Sequence, residues 1–371
     1  MLRNIKLSDL RLRKKLGKGA FGEVYLATKL DTNKIYAIKQ LDRKKMESSG
    51  KLDPLVNEIT ILSSVNHPNI LKFDSWAMSE NHFYIATEYI NGGDLSECLK
   101  KYMEKFNTPF TEEITQHLMK QILEALNYLH FKKIAHRDLK LENIMVNFDT
   151  LEDKEELNML KTKIKIIDFG VAKNFNDNNL LKSIVGTLIN ADPKIVKYFG
   201  KMLLDNQNEE PKGYNEKCDI WSIGTVCFEL ITGEKVFDVK TFDELLEKIN
   251  EGKIEIPQAF SKEITSFLNS MLQIDDKKRS SAQELLYNDF IIKDTKEFSY
   301  IKKKFEHIEE REVQYNNISN NFNNNNIRND NRSEDNVYKN IEEYKKLCGF
   351  SEQSYYGQSM SQKIQVISKK I

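Results

Sequence analysis

The feature that most constrains the fold is a change of hydrophobic pattern at the Asn91-Gly92-Gly93 turn signal. Short β-rich runs and one helical pattern precede this turn, with the strands at 24–27, 36–39 and 83–86 and the helix at about 54–65. After the turn, apolar residues recur at helical spacing. The order predicts a small sheet-rich lobe, about residues 8–90, followed by a large helical lobe, about residues 91–293.

The clearest helix follows Thr111, whose hydroxyl suits an N-cap, and Glu112 and Glu113 lie in its first turn. Apolar residues then recur at helical spacing from Ile114 to Leu129. Other helices are predicted at about 94–106, 216–232, 241–250, 261–272 and 281–289.

Charge and cysteine content restrict the partners. The 371 residues include 56 Lys+Arg and 56 Asp+Glu, so no overall field attracts the chain to nucleic acid or to an anionic membrane. The four cysteines are scattered and form neither a zinc pattern nor a disulfide framework. Basic residues occur throughout positions 1–18, so this stretch lacks the apolar run of a signal peptide. No later run reaches the roughly 20 apolar residues of a membrane span. We expect a cytoplasmic protein, with the nucleus as an alternative, and no nucleic-acid or membrane partner.

The composition changes at about residue 294. Between Asn316 and Asn331, ten of sixteen residues are asparagine. Such a stretch buries too little apolar surface to offset its conformational entropy, so residues 294–371 are predicted to be a largely disordered tail. A short helix at 337–348 is predicted within it, either docked on the helical lobe or bound to a regulatory partner.

Three glycines near the N-terminus, Gly17, Gly19 and Gly22, have the G-x-G-x-x-G spacing. The same spacing occurs in dinucleotide-binding folds and in flexible surface turns. A dinucleotide fingerprint opens a helix, whereas here a β-rich run follows from Val24. The pattern therefore favours a strand-turn-strand flap over phosphate groups.

Lys39 ends a β-rich run, and Glu58 lies in the helix predicted after it. A lysine on a strand is usually only solvated. A buried cation that holds nucleotide phosphates, however, needs a carboxylate to orient it. Lys39 and Glu58 are therefore a candidate ion pair.

The strongest motif has two parts. Residues 136–143 read His-Arg-Asp-Leu-Lys-Leu-Glu-Asn, and residues 166–170 read Ile-Ile-Asp-Phe-Gly. Asp138 suits the role of accepting or aligning a substrate hydroxyl proton, while Asn143 and Asp168 carry the hard oxygen ligands that Mg²⁺ on a nucleotide prefers. Their occurrence in this order favours phosphoryl transfer.

With these motifs, residues 8–293 resemble the eukaryotic protein kinase family, serine/threonine type. The resemblance implies an α+β, two-lobed fold, with a small antiparallel β-sheet lobe and a large helical lobe. It implies transfer of the γ-phosphate of ATP, with Mg²⁺, to hydroxyls of a protein substrate. The implied site residues are Lys39 and Glu58 at the phosphates, Asp138 as base, Lys140 beside the transferring phosphate, Asn143 and Asp168 on the metal, and Leu16, Gly17, Gly19, Gly22, Val24, Ala37, Glu88, Ile90 and Met145 around the nucleotide.

Further positions match the family. Lys140 is similar to the serine/threonine branch, and Thr87 takes the small gatekeeper position before the hinge. Residues 218–224 resemble the family's buried helix, in which Asp219 braces the catalytic loop. Arg279 matches the late arginine of the helical lobe.

The segment that starts at Asp168 departs from the family at its end. The family usually has Ala-Pro-Glu there, whose Glu pairs with the late arginine, but residues 192–194 read Asp-Pro-Lys. Lys194 and Arg279 would then be two like charges, and removing one partner of a buried pair commonly costs about 3–5 kcal/mol. Either Arg279 has another acid, or the segment is rearranged. A pseudokinase scaffold is therefore the main alternative function, whereas a kinase for lipids or small metabolites rarely has this full motif order.

Residues 149–163 lengthen the chain between the two metal ligands. We expect a solvated hairpin extension there rather than a regulatory element, since loop extension is thermodynamically mild. The resemblance also suggests Ser183 as an activating phosphosite that pairs with Arg137. Asp94, Glu142 and Glu229 match acids that bind an arginine upstream of the target residue, although they are equally compatible with ordinary surface or structural acids.

Overall fold

The computed structural model describes residues 7–19, 22–169, 173–174, 188–205 and 215–292. They belong to one compact unit that spans residues 1–298. The predicted tail, with its helix at 337–348, lies outside the described residues. Among the helices that are described, none combines the length and apolar composition needed to cross a bilayer.

The first part of the chain builds a sheet. Its strands are β1 (Leu10–Lys18), β2 (Gly22–Lys29), β3 (Ile35–Asp42), β4 (Phe73–Met78) and β5 (His82–Glu88). They pair antiparallel in the order β1-β2-β3-β5-β4. The register places Val24 opposite Lys39 and Ala37 opposite Thr87. The small antiparallel sheet lobe is therefore confirmed, and the predicted β-rich runs fall in β2, β3 and β5.

Two helices accompany this sheet, α1 (Arg43–Ser48) and α2 (Leu52–Ser64). The sequence predicted only α2, whose buried Leu55 packs in one cluster with Leu41 of β3 and Ile85 of β5. The prediction missed α1, because six residues are too few to show a helical period. Its start does carry a signal, since the Asp42 side chain accepts a hydrogen bond from the Lys45 N–H.

The second part of the chain is mainly helical. Its helices are α3 (Leu95–Phe106), α4 (Glu112–Phe131), α5 (Leu151–Glu156), α6 (Pro193–Asp205), α7 (Lys217–Thr232), α8 (Phe242–Glu251), α9 (Lys262–Met271), α10 (Ala282–Leu286) and α11 (Asp289–Ile292). Two short antiparallel pairs join them, β6 (Ile134–Ala135) with β9 (Lys173–Asn174), and β7 (Ile144–Phe148) with β8 (Thr162–Ile166). The helical lobe is confirmed, although the single helix predicted at 281–289 is divided into α10 and α11, and α6 was not predicted.

Helices α4 and α7 lie in the core of the large lobe. On α4, the apolar residues at helical spacing are fully buried, among them Leu118, Ile122 and Leu126. Helix α7 is buried along almost its whole length, including Trp221 and the carboxylate of Asp219. A carboxylate so deep in an apolar core must be hydrogen bonded, and its partners lie in the candidate site.

The connection between β7 and β8 agrees with the predicted extension in most respects. The two strands form an antiparallel hairpin, and most residues between them are exposed, but this connection also has structure that was not predicted. It folds into α5, which is N-capped by Thr150, and the side chains of Asp153 and Met159 are buried.

Candidate active site

The glycine-rich turn connects β1 and β2 at the edge of the small lobe. Gly17 pairs with Val24, and the Gly19 N–H donates to the Gly22 carbonyl over 2.9 Å. A Cβ added at Gly22 would collide with the backbone carbonyl of Gln40 on β3, so this position has no room for a side chain. Ala20 and Phe21, at the tip of the turn, lie outside the described residues.

Lys39 and Glu58 form the predicted ion pair. The Nζ of Lys39 lies 2.9 Å from one carboxylate oxygen of Glu58 and 3.2 Å from the other. Desolvation lowers the pKa of Lys39, but the negative charges of Glu58 and Asp168 outweigh it and hold that pKa above its ordinary value. The Lys39 ammonium therefore stays charged and lies close enough to Glu58 and Asp168 to interact with both carboxylates.

Asp138, Lys140 and Asn143 form one cluster in the loop after β6. The Asn143 side-chain amide donates to the Asp138 carbonyl at 2.7 Å and to Asp138 Oδ2 at 2.8 Å. The Nζ of Lys140 lies 3.2 Å from the same Oδ2. These contacts fix the orientation of the Asp138 carboxylate and leave a cation beside it.

Asp219 braces this loop from α7. One carboxylate oxygen accepts from the His136 N–H and contacts His130 Nε2, both at 2.9 Å, and the other accepts from the Arg137 N–H at 2.7 Å. Burial alone would raise the pKa of Asp219, but its hydrogen bond to His130 and the backbone donors hold the pKa below its ordinary value. The bracing role implied for Asp219 thus has a direct structural basis.

The loop that bears Asp168 is joined to the same cluster. The Ile167 N–H donates to the Asn143 carbonyl, and the Ile167 carbonyl contacts His136 Nε2, each over 2.9 Å. Phe169 is fully buried with its ring edge against His136. Asp168 itself has a φ of 62°, an uncommon conformation for a residue with a side chain that is often found at functional sites.

The hinge segment, residues 88–90, links the lobes. The carboxylate of Glu88 accepts from the Lys72 N–H at 2.8 Å and pairs with Lys165 on β8 at 2.7 Å. Ile90 is buried, and Met145 is bridged to Asp94 just beyond the hinge. Leu16, Val24 and Ala37 lie on β1, β2 and β3 of the small lobe, so the predicted nucleotide-contacting positions come from both lobes.

The residues present fit a magnesium nucleotide by their chemistry. The amide nitrogen of Asn143 faces Asp138, which places its oxygen on the other side of the group. Asp168 supplies an exposed carboxylate near the Lys39 ammonium. Mg²⁺ commonly uses one or two protein ligands and takes the rest from phosphate and water, so the pair Asn143 and Asp168 is a sufficient protein contribution.

Arg279 has an acidic partner other than the one the family pattern places at 194. Its guanidinium, fully buried, forms an ion pair with Asp192 and donates to the carbonyl of Gln273 at 2.7 Å. Lys194 turns instead to Asp276, with which it also forms an ion pair. Lys194 and Arg279 are therefore each paired with an acid instead of facing one another as like charges. Of the two predicted outcomes, the first, that Arg279 has another acid, is correct.

Asp192 is the residue that the sequence reasoning missed. Its Oδ2 holds Arg279, and its Oδ1 accepts from the Lys194 N–H at 2.7 Å at the start of α6. A signal was present, because Asp followed by Pro is the pattern of an N-cap with proline in the first helical position. Reading it would have predicted α6 and placed a carboxylate at the segment end.

Glu142 lies within electrostatic reach of both Asp94 and Glu229. Burial raises the pKa of Asp94, and the charges of Glu97 and Glu142 add to that rise. Burial also raises the pKa of Glu229, again with a contribution from Glu142. Glu142 is thus close enough to interact with both other acids, which makes a negative patch beside the catalytic loop. Ser183 and Gly170 lie outside the described residues.

Comparison with known proteins agrees with this geometry. A family model for the protein kinase domain matches residues 10–291. The chain belongs to the protein kinase family. Members of this family are phosphotransferases that generally use ATP and Mg²⁺ and act on protein substrates, and the two-lobed fold described above is theirs.

Individual kinases are similar over the same region. The serine/threonine-protein kinase RAD53 of Saccharomyces cerevisiae is 29% identical over 280 residues, which cover 74% of this chain and 32% of that protein. A probable myosin light chain kinase of Dictyostelium discoideum is 30% identical over 290 residues, or 77% of this chain and 84% of the relative. Calcium-dependent protein kinase 5 of Plasmodium falciparum is 34% identical over 290 residues, or 78% and 44%. The chain therefore spans about a third of the yeast relative and less than half of the Plasmodium one.

Proposed function

We propose that this kinase is catalytically active, uses Mg-ATP, and phosphorylates serine or threonine in protein substrates. The observation that carries the proposal is the closed Lys39–Glu58 pair, 2.9 Å long, within the electrostatic reach of Asp168. An ammonium in this position can hold phosphates, and a charge that needs no reorganisation during the reaction lowers the barrier most effectively.

The chain's own residues have distinct roles in this proposal. Asn143 and Asp168 would hold Mg²⁺, which neutralises phosphate charge when bound. Asp138, oriented by Asn143 and Lys140, would accept or align the proton of the substrate hydroxyl. Lys140 would then stabilise negative charge on the phosphate during transfer.

The pseudokinase alternative rested on the altered residues 192–194. The Asp192–Arg279 pair supports activity over that alternative, because the buried arginine keeps an acid and the segment end keeps an anchor. A scaffold without activity would have no need for the full set of phosphate, metal and proton-handling groups.

A transfer assay tests the proposal. Wild-type protein should move the γ-phosphate of ATP to serine or threonine of a generic basic protein, and Asp168→Ala should abolish transfer. Binding of Mg-ATP without transfer by the wild type would identify a scaffold instead. Phosphate found only on tyrosine would contradict the serine/threonine assignment.

We further propose that the patch of Asp94, Glu142 and Glu229 selects substrates with an arginine upstream of the target residue. Burial raises the pKa of Asp94 and of Glu229, the charge of Glu142 adds to both rises, and a guanidinium would offset that repulsion. A peptide array should show this preference, and Glu142→Gln should weaken it while Glu152→Gln, on the exposed face of α5, should not. An array without any upstream basic preference would end the proposal.

Ser183 is proposed as an activating phosphosite on the sequence alone. Phosphopeptide mapping should detect the phosphate, and Ser183→Ala should lower activity. Full activity of the variant, with no modification at Ser183, would contradict this. The cytoplasmic location and a regulatory partner for the tail also stay predictions.

A further inference from the structure

The helix α5 between β7 and β8 is held to the rest of the large lobe by a lysine of α3. The Nζ of Lys105 donates to the carbonyls of Glu155 and Glu156, at 3.3 and 3.0 Å. These carbonyls end α5, where a helix presents unpaired acceptors and a partial negative charge. A cation at that end both satisfies the acceptors and fixes the helix against α3.

The connection between β7 and β8 that contains α5, here called the insertion, also reaches the end of the hinge. The Nζ of Lys154, on α5, donates to the backbone carbonyl of Asn91, the residue that follows Ile90. Lys154 is half-buried, so this charge-assisted hydrogen bond is partly shielded from water.

Asn91 is also fixed by its side chain. Its amide nitrogen donates to the Phe148 carbonyl at 3.0 Å, and its amide oxygen accepts from the Phe148 N–H at 2.9 Å. The next residue, Gly92, donates to the Val146 carbonyl at 2.8 Å, in a place where any Cβ would collide with that carbonyl. The hinge exit is therefore packed on β7, and Lys154 supplies the contact that comes from the insertion.

We propose that Lys154 is a positioning residue for nucleotide binding, through which the inserted helix α5 fixes the end of the hinge. The inference rests on the nucleotide site proposed above. When the hinge adopts several conformations, only the fraction with its backbone groups in place binds adenine well, so apparent affinity falls with that fraction. By holding the Asn91 carbonyl, Lys154 keeps this fraction high without touching the nucleotide.

The experiment measures Mg-ATP affinity by calorimetry in the full chain. Lys154→Met should weaken binding by about fivefold, the scale of the net contribution of one typical hydrogen bond. Lys154→Arg, which keeps a cationic donor, should remain within about twofold of wild type. Lys161→Met is the matched control, because Lys161 lies in the same insertion and its ammonium pairs with Asp153, at 3.4 Å, rather than with the Asn91 carbonyl. It should bind like wild type.

Hydrogen exchange provides a second readout. The Gly92 amide should exchange faster in Lys154→Met and at the wild-type rate in Lys161→Met. Equal Mg-ATP affinity of Lys154→Met and wild type would overturn the proposal, whatever the exchange rates. Equal weakening in Lys154→Met and Lys161→Met would also overturn it, since the effect would then be general destabilisation of the insertion.

The outcome is separable from the proposed activity. Binding is measured without transfer, so a scaffold that binds Mg-ATP can still support or contradict the role of Lys154. A wild type that binds no Mg-ATP would overturn the nucleotide site itself and, with it, this inference.

Discussion

The catalytic loop and the end of the segment at 188–194 meet the family pattern in different ways. In the loop, each expected residue type occupies the expected position, and Asp138, Lys140 and Asn143 contact one another. At the segment end, the acid has moved from the usual position to Asp192 and still reaches Arg279. The difference follows from what each group must satisfy. Groups that face a ligand are fixed by the geometry of that ligand, whereas a structural ion pair needs only opposite charges within reach.

The largest effect should come from breaking the relocated pair. Asp192→Asn leaves the buried Arg279 without its acid, and we expect the free energy of unfolding to fall by about 3–5 kcal/mol. Asparagine is as good an N-cap as aspartate, so the variant isolates the ion pair from the start of α6. Urea unfolding measures the change. A loss below about 1 kcal/mol would mean that the carbonyl acceptors around Arg279 suffice.

Changes to the residues that face the nucleotide should alter the rate of phosphoryl transfer rather than the stability of the fold. Lys39→Met removes the cation proposed to hold the phosphates, and transfer should slow by about 10²- to 10³-fold. The exposed Lys44→Met on α1 is the matched control and should keep wild-type activity. Steady-state transfer assays measure the change in rate, and thermal unfolding measures any change in stability. A variant with wild-type transfer would remove Lys39 from the site.

Asp219 tests whether the catalytic loop also depends on a structural acid. Asp219→Asn should cost about 2–3 kcal/mol at neutral pH, because a carboxylate that accepts from two backbone N–H groups is lost. The folded pKa of Asp219 lies below its ordinary value of 3.8, so its stabilisation is present above that pH and is lost as the pH falls through the folded pKa. The stability gap between wild type and variant should therefore narrow below about pH 4. A gap that is constant from pH 7 to pH 3 would contradict the assigned cause.

The smallest effect should come from Lys194. Its side chain is 43% exposed, so the pair with Asp276 is screened by water and Lys194→Met should cost at most about 1 kcal/mol. Lys194→Glu should cost more, since it sets a carboxylate against Asp276. It should also fail to rescue Asp192→Asn, although it restores the family's residue type. Rescue measured by urea unfolding would show that position 194 can still reach Arg279.

Elements with a long period or a ligand-determined motif were predictable from the sequence. The twenty-residue helix α4 has a clear apolar period, and the two-part motif around Asp138 and Asp168 has a fixed order. Among the missed features, α6 did carry the Asp-Pro capping signal at its start, whereas the others lack a long period or a fixed motif or depend on tertiary contacts. Helices α1 and α5 have six residues each, and the partner of Arg279 is determined by distance in space rather than by position in the chain.

The most direct test of the account is single-turnover phosphoryl transfer by wild type and Asp138→Asn, with Mg-ATP affinity measured in parallel. Both proteins should bind Mg-ATP equally well, because Asp138 is assigned to the substrate hydroxyl and not to the nucleotide. The wild type should transfer phosphate about 10²- to 10⁴-fold faster than the variant. Equal rates, or binding by both proteins with transfer by neither, would contradict the claim that this cleft is a working catalytic site.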